Sequence, residues 1–201
     1  MPEYRGKRLL DLVLVIGAAP VWLPSLAVLA ALVRTKLGSP IFFTQTRPGR
    51  NGVPFTLIKL RTMTDARGVN GGLLPDEKRL APFGRFLRST SLDELPELLN
   101  VLKGEMSLVG PRPLLTQYLE RYSSSHRRRH EVRPGMTGLA QVSGRNAISW
   151  SQKFDRDVEY VDRCSLTLDI AILWRTLRAV VRREGISAEG EATMPEFMGY
   201  D

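Results

Sequence analysis

Residues 12–33 read LVLVIGAAPVWLPSLAVLAALV, a run of 22 residues without a charged side chain. About 20 apolar residues are enough to carry a helix through a ~30 Å hydrocarbon core. Three structures compete for the run: a spanning helix, a helix that enters one leaflet and returns, and a buried helix of a soluble domain. Pro20 and Pro24 sit mid-run, where each removes a backbone donor and collides with the preceding turn. Arg5, Lys7 and Arg8 precede the run, and Arg34 and Lys36 follow it. Such flanks give a span no orientation, but they suit a segment whose two ends both face the cytoplasm. Each limb beside the prolines is roughly nine residues, or about 13 Å of helix, under half of the core. The run therefore reads as a re-entrant helix broken at Pro20 and Pro24, with the Ser25 hydroxyl placed to serve a freed backbone group. A signal peptide does not fit, because the run is long and lacks a small-x-small cleavage site.

Beyond this segment the chain is basic. Its 201 residues carry 29 Lys and Arg against 21 Asp and Glu, a net charge of +8. That length has room for one core and a small appendage. The excess charge points to an anionic partner: nucleic acid, lipid headgroups or a phosphorylated substrate. A lone cysteine, Cys164, excludes an internal disulfide and a cysteine metal cluster, and fits a reducing exposure. Two histidines, His126 and His130, give no basis for a zinc site.

Local patterns order the remainder. Ile41–Thr44 and Phe55–Leu60 predict two short strands joined by a Gly, Pro and Asn turn. Lys59 and Arg61 lie two apart at the end of the second strand and share a face. Residues 65–75 read as a loop. Residues 78–89, KRLAPFGRFLRS, predict one basic amphipathic helix with Pro82 in its first turn. It suits a membrane surface or, equally, a core face with a solvated side. In SSSHRRRHEVRPG, the run Arg127–Arg129 reads as a solvated or lipid-facing surface. Leu168–Arg183 predicts a second amphipathic helix bearing Trp174 and four arginines, a pairing common at headgroup depth.

The chemistry concentrates in SLDELPELLNVLKGEMSLVGPRP, residues 91–113. Ser91-x-x-Glu94 matches a capping box, which would make Glu94 structural. Pro96 would then fall at the fifth helical position and delete a bond, whereas a helix starting at Asp93 keeps it in the first turn. Asp93 and Glu94 would lie at the positive end of the helix dipole, ionised and mutually repelling unless a cation joins them. Mg²⁺, which takes one or two carboxylates plus phosphate oxygens, meets that need. Residues 106–109 read as a strand, and Gly110 permits a close approach. Pro111 and Pro113 stiffen the backbone around Arg112, which can then grip a phosphate at low entropic cost. Pro113 could also open the next helix, leaving free N–H groups toward the same place. Lys59, Arg88 and Arg145 are further cations near turns. By residues alone, phosphoryl transfer through a carboxylate nucleophile or metal ligand stands beside a purely structural cap. No Walker or Rossmann glycine pattern occurs.

These residues carry a family resemblance. KRLLD (7–11), GSPIFFTQTRPGRNGVPFTLIKLRTM (38–63), RSTSLDELPELLNVLKGEMSLVGPRPLL (88–115) and RPGMTGLAQVSGRN (133–146) follow one another as in the bacterial sugar transferases. The chain resembles the monotopic phosphoglycosyl transferases acting on polyprenyl phosphate, and is similar to PglC-type enzymes over nearly its whole length. The resemblance implies a membrane-associated α/β fold: a re-entrant helix in residues 1–36, and a catalytic domain in residues 37–201 with interfacial amphipathic helices and a small β element around the active site. It implies transfer of a phospho-sugar from a UDP-sugar to undecaprenyl phosphate, release of UMP, and Mg²⁺ dependence. The location implied is the cytoplasmic face of a bacterial inner membrane, on an anionic bilayer, with pathway glycosyltransferases as further partners. Asp93 matches the nucleophile of a covalent aspartyl-phosphosugar, Glu94 its acidic partner, and Arg112 the phosphate-binding Pro-Arg-Pro element. Lys59, Gln141, Arg145, Asp157 and Asp169 are carried over as further site residues. Asp157 and Asp169 read equally as helix-start or ion-pair residues. One departure concerns the helix break, where a Ser-Pro pair is common and this chain has Leu23-Pro24-Ser25 with Pro20 added.

A second class of function is a non-enzymatic, membrane-anchored basic binding protein, in which Asp93 and Glu94 would be dispensable. Nucleic acid is not expected as a partner, because no aromatic residues interleave with the basic clusters.

Overall fold

A computed structural model of the chain describes residues 3–143, 148–182 and 196–199. The N-terminal run forms two helices, α1 (Lys7–Gly17) and α2 (Ala19–Lys36), bent by 63°. The bend lies at Ala18, earlier than the prolines suggested. Pro20 falls in the first turn of α2, where a missing donor costs little. Pro24 and Ser25 lie inside a continuous helix, with Ser25 Oγ donating to Val21 O at 2.8 Å. The limbs therefore have 11 and 18 residues. A carbonyl left free at the bend, Val15 O, accepts the Trp22 indole N–H at 2.9 Å. Among the described residues no single helix is long and apolar enough to cross a membrane; only the bent pair taken together has that length and composition. It exposes Leu9, Val13, Ile16, Val21 and Val28, each more than half accessible.

A hairpin follows. Strand β1 (Phe42–Pro48) pairs antiparallel with β2 (Pro54–Leu60), in a register that sets Phe43 opposite Lys59 and Arg47 opposite Phe55. Its first strand runs four residues further than sequence patterning indicated. The expected single helix over 78–89 is two, α3 (Asp76–Arg79) and α4 (Pro82–Ser89), broken at Leu80 and Ala81. Pro82 forces this, since it disfavours a helical residue before it. Gly84 brings α4 against the segment after β2: a Cβ there would lie 1.8 Å from Thr62 O.

Helix α5 (Glu97–Lys103) docks on β2 through the fully buried Asn100. Its side chain accepts from Ile58 N at 3.2 Å and donates to Thr56 O at 2.8 Å. After α5, β3 (Ser107–Val109) pairs in parallel with β4 (Gly135–Thr137). Pro113 opens no helix; the chain continues extended to a 3₁₀ turn at Thr116–Glu120. Short helices α6 (Ser124–Arg127) and α7 (Leu139–Val142) precede α8 (Trp150–Arg163) and α9 (Leu166–Arg182). Along α9, Leu166, Ile170, Trp174, Leu177 and Val180 are exposed at helical spacing, an apolar stripe without a partner among the described residues.

Helix α1 is tied to the rest by buried polar groups. Lys7 Nζ donates to Asp169 Oδ2 at 2.7 Å, Tyr160 Oη at 2.9 Å and Val109 O at 2.9 Å. Asp11 accepts from Ser107 Oγ and Leu108 N, each at 3.0 Å. Arg8 donates to the last carbonyls of α5, Val101 O and Leu102 O.

Candidate active site

Ser91 does not cap a helix. It adopts a left-handed conformation (φ 56°), unusual without a glycine, and makes no side-chain cap. Leu92–Glu94 then form a 3₁₀ turn, and the α-helix begins only at Glu97, with Pro96 as its cap. Neither the capping box nor a helix starting at Asp93 survives. The turn instead brings both carboxylates to the wall of a cavity of about 960 Å³. Its floor is the hairpin face carrying Phe43, Gln45, Arg47, Leu57 and Lys59; α4 adds Arg88, and the Pro-Arg-Pro loop adds Arg112.

The adjacent carboxylates have opposite surroundings. Glu94 Oε1 accepts from Lys59 Nζ at 2.8 Å and from Arg112 Nη2 at 2.5 Å. Burial would raise its pKa, but Arg112 and then Lys59 hold it down at about 2. Asp93 is 8% exposed, and among the described residues no group hydrogen-bonds to its carboxylate. Burial, and then the Glu94 charge, push it up to about 6, against the pull of Lys59, Arg112 and Arg88. Glu94 is thus a fixed anion. Asp93 is an unpartnered and unusually basic carboxylate, ionised above neutrality.

Supporting contacts fix the cations. Lys59 also bonds Glu97 Oε1 at 3.0 Å, and burial raises Glu97 to about 7. Arg88 Nε donates to Thr62 Oγ1 at 3.0 Å. Gly110 N donates to Thr137 O at 2.8 Å and Gly135 N to Pro111 O at 3.0 Å, so β4 braces the loop before Arg112. A Cβ on Gly110 would meet Arg133 O at 2.4 Å, which explains its glycine. Arg129 Nη2 donates to Arg112 O at 2.8 Å and is itself gripped by Asp157 at 2.7 Å.

The structure therefore brings together Asp93, Glu94, Lys59, Arg88 and Arg112. It does not bring Gln141, Asp157 or Asp169 to the cavity. Gln141 donates to Met136 O at 3.0 Å. Asp157 and Asp169 sit in buried ion pairs with Arg129 and Lys7. Arg145 lies outside the described residues. The basic run is corrected at Arg129, which is 2% exposed and interior instead of facing solvent or lipid. Sequence patterning missed Arg47, Glu97 and Arg129. Arg47 carried a signal, the period-two alternation with Phe43 and Gln45 that puts it on the Lys59 face.

Among the described residues no group of three His, Cys, Asp or Glu forms a metal cage. A Mg²⁺ ion that keeps phosphate and water ligands needs fewer. Both cations on Glu94 use Oε1, which leaves its Oε2 and the Asp93 carboxylate free of protein donors. The donor set fits such an ion.

Residues 3–183 match the family described as Bacterial sugar transferase. The chain belongs to that family. It is 59% identical over 169 residues to an uncharacterized sugar transferase, EpsL, of Bacillus subtilis, covering 84% of each chain. It is 41% identical over 196 residues to a UDP-galactose-lipid carrier transferase of Erwinia amylovora, covering 89% of this chain and 41% of that one. A UDP-glucose:undecaprenyl-phosphate glucose-1-phosphate transferase of Caulobacter vibrioides is 39% identical over 186 residues, 87% of this chain and 69% of its own. The chain thus spans most of EpsL and about two-fifths of the Erwinia protein.

Proposed function

We propose that this sugar transferase moves a phospho-sugar from a UDP-sugar to undecaprenyl phosphate, through a covalent intermediate on Asp93. The observation that carries the reading is the Asp93 carboxylate, raised in basicity, free of donors and facing a cavity lined by arginines. An Asp93 oxygen attacks the β-phosphorus. The bond from that phosphorus to the bridging oxygen breaks, and the electron pair leaves on UMP. An oxygen of the lipid phosphate then attacks the same phosphorus, which frees the Asp93 carboxylate and yields a lipid diphosphate sugar. Arg112 and Arg88 stabilise charge on the phosphates as the bond breaks.

Burial makes Asp93 a stronger nucleophile than an exposed aspartate while leaving it ionised above neutral pH. Glu94, held near pKa 2, is a poor proton carrier; its task is to orient Lys59 and Arg112 and to offer Oε2. Asp93 and Glu94 would hold Mg²⁺, which supplies charge neutralisation on the diphosphate. The exposed apolar surface of α1, α2 and α9 supports embedding from the cytoplasmic face of a bacterial inner membrane, with the α1–α2 pair re-entrant. A purely binding role leaves the unpartnered buried carboxylate without a reason.

Wild-type protein given a UDP-sugar without lipid acceptor should accumulate a phospho-sugar on the Asp93 peptide, detected by mass spectrometry. An adduct on another residue, or turnover by Asp93→Asn, would refute the assignment.

A further inference from the structure

Six cationic and four acidic side chains line the cavity, and among the described residues two of the cations, Arg88 and Arg47, form no ion pair; Arg88 Nε donates to the neutral Thr62 Oγ1, whereas Arg47 keeps a buried donor with no acceptor. Arg61 pairs with Asp65 at 2.8 Å, Arg79 with Asp76 at 3.3 Å, and Lys59 and Arg112 share Glu94. Arg47 gives one N–H to Gln45 Oε1 at 2.6 Å, while its Nε is buried without an acceptor among the described residues. Among those residues no carboxylate pairs with it. Glu97, whose charge reaches it, is committed to Lys59. Burial, and then the neighbouring Arg112 guanidinium, lower its pKa, yet an arginine stays protonated. A half-buried cation beside another cation, with a donor unsatisfied, is costly unless an anion completes it. A phosphate between two guanidinium forks would accept charge-assisted bonds from both.

Position along the hairpin selects which phosphate. Phe43 lies opposite Lys59, which grips Glu94, so this level of the sheet is the level of the carboxylates. The exposed Phe42 and Phe43 mark the end joined to α2 through residues 37–41. Arg47 is four residues further along β1, about 13 Å at ~3.3 Å per residue. It stands beyond the Lys59–Glu94 level, away from the apolar end that a lipid would approach.

We infer that Arg47, together with Arg112, binds the phosphate that stays on the departing nucleotide, the α-phosphate of the UDP-sugar released as UMP. This rests on the function proposed above and adds a residue that separates the soluble substrate's anchoring from the lipid's.

The test uses full-length protein in nanodiscs. UMP and uridine are titrated into wild type, Arg47→Gln and Arg47→Lys by calorimetry, and KM for undecaprenyl phosphate is measured in parallel. Arg47→Gln should weaken UMP about tenfold or more, the loss of a charge-assisted contact. Uridine affinity and the lipid KM should stay within about twofold, and Arg47→Lys should recover part of the UMP affinity as a point charge without the fork. Ligand-free Arg47→Gln loses an unpaired cation, so its thermal midpoint should equal or exceed that of wild type. Should it fail to fold, Arg47→Lys decides alone, and wild-type UMP affinity in it overturns the inference. Unchanged UMP affinity in Arg47→Gln overturns it too. A raised lipid KM with unchanged UMP binding would assign Arg47 to the lipid phosphate instead. Failure of wild type to transfer phospho-sugar sinks the proposed function; transfer with unaltered UMP binding in Arg47→Gln sinks this inference alone.

Discussion

Replacing Asp93 by Asn should end the chemistry and make the ligand-free protein more stable. The Asp93 carboxyl is pushed from 3.8 to about 6, by burial first and by Glu94 second. Each pKa unit corresponds to ~1.4 kcal/mol, so the ionised group costs the fold on the order of 3 kcal/mol at pH 8. Below about pH 4 the carboxyl is protonated in folded and unfolded chains alike, and it costs nothing. Between pH 4 and 6 the unfolded chain ionises ahead of the folded one, and stability falls. Above pH 6 the cost is complete. Asn keeps the shape and removes the charge. At roughly 2–4 °C per kcal/mol for a chain of this size, the Asp93→Asn midpoint should rise by about 6–12 °C at pH 8. The gain should vanish near pH 4. Glu94→Gln should do the reverse. Glu94 is held at about 2, against its burial, by Arg112 and Lys59, so its stabilisation is present above 4.5 and fades as pH falls toward 2. Removing it at pH 8 leaves Arg112 without a carboxylate and Lys59 with Glu97 alone, and lowers the midpoint. Differential scanning fluorimetry in detergent with EDTA, from pH 4 to 8, reads the Asp93 window and the loss in Glu94→Gln at pH 8. A lower midpoint for Asp93→Asn at pH 8, or a shift independent of pH, would show that Asp93 is not a strained carboxylate.

Two further outcomes follow from the charge and the bend. Turnover should disappear in EDTA and return with Mg²⁺, because two carboxylates and a diphosphate otherwise repel; full activity in chelator would remove the metal from the site. With Cys164 replaced, single cysteines at Glu3 and Ser39 should both be labelled only from the cytoplasmic side of intact cells. Periplasmic labelling of one of them would mean that α1 and α2 span.

Local chemistry made the core of the site legible. Asp93, Glu94 and Arg112 sit within 20 residues, and the proline-flanked arginine can be read without knowing the fold. Lys59 followed from strand alternation, although its partners, Glu94 and Glu97, could not. Arg129 was misread because a run of three arginines looks solvated; only tertiary packing supplies the buried Asp157 that neutralises it. The bend was misplaced for a related reason. A proline costs a helix little in its first turn, so Pro20 marks a start, and the Trp22 indole that satisfies Val15 O acts across seven residues. Ser91 looked like a cap because its spacing to Glu94 was right, yet its left-handed backbone turns the carboxylates into the cavity instead.

The buried contacts of α1 give the site a fixed relation to any surface in which that helix lies. Lys7 donates to Val109 O, and Asp11 takes Ser107 Oγ and Leu108 N, so α1 holds every residue of β3. Three residues after Val109 comes Arg112, which grips Glu94 beside Asp93. On the proposed membrane placement, the height of the nucleophile above the headgroups is then set by short, buried, charge-assisted bonds and not by a flexible linker. A polyprenyl phosphate has its own height fixed by its tail, and its attack on phosphorus tolerates little misalignment. The substrate whose position can adjust is the soluble one. This is a physical reason for the far end of the cavity, at Arg47, to carry a phosphate contact that no carboxylate among the described residues fixes.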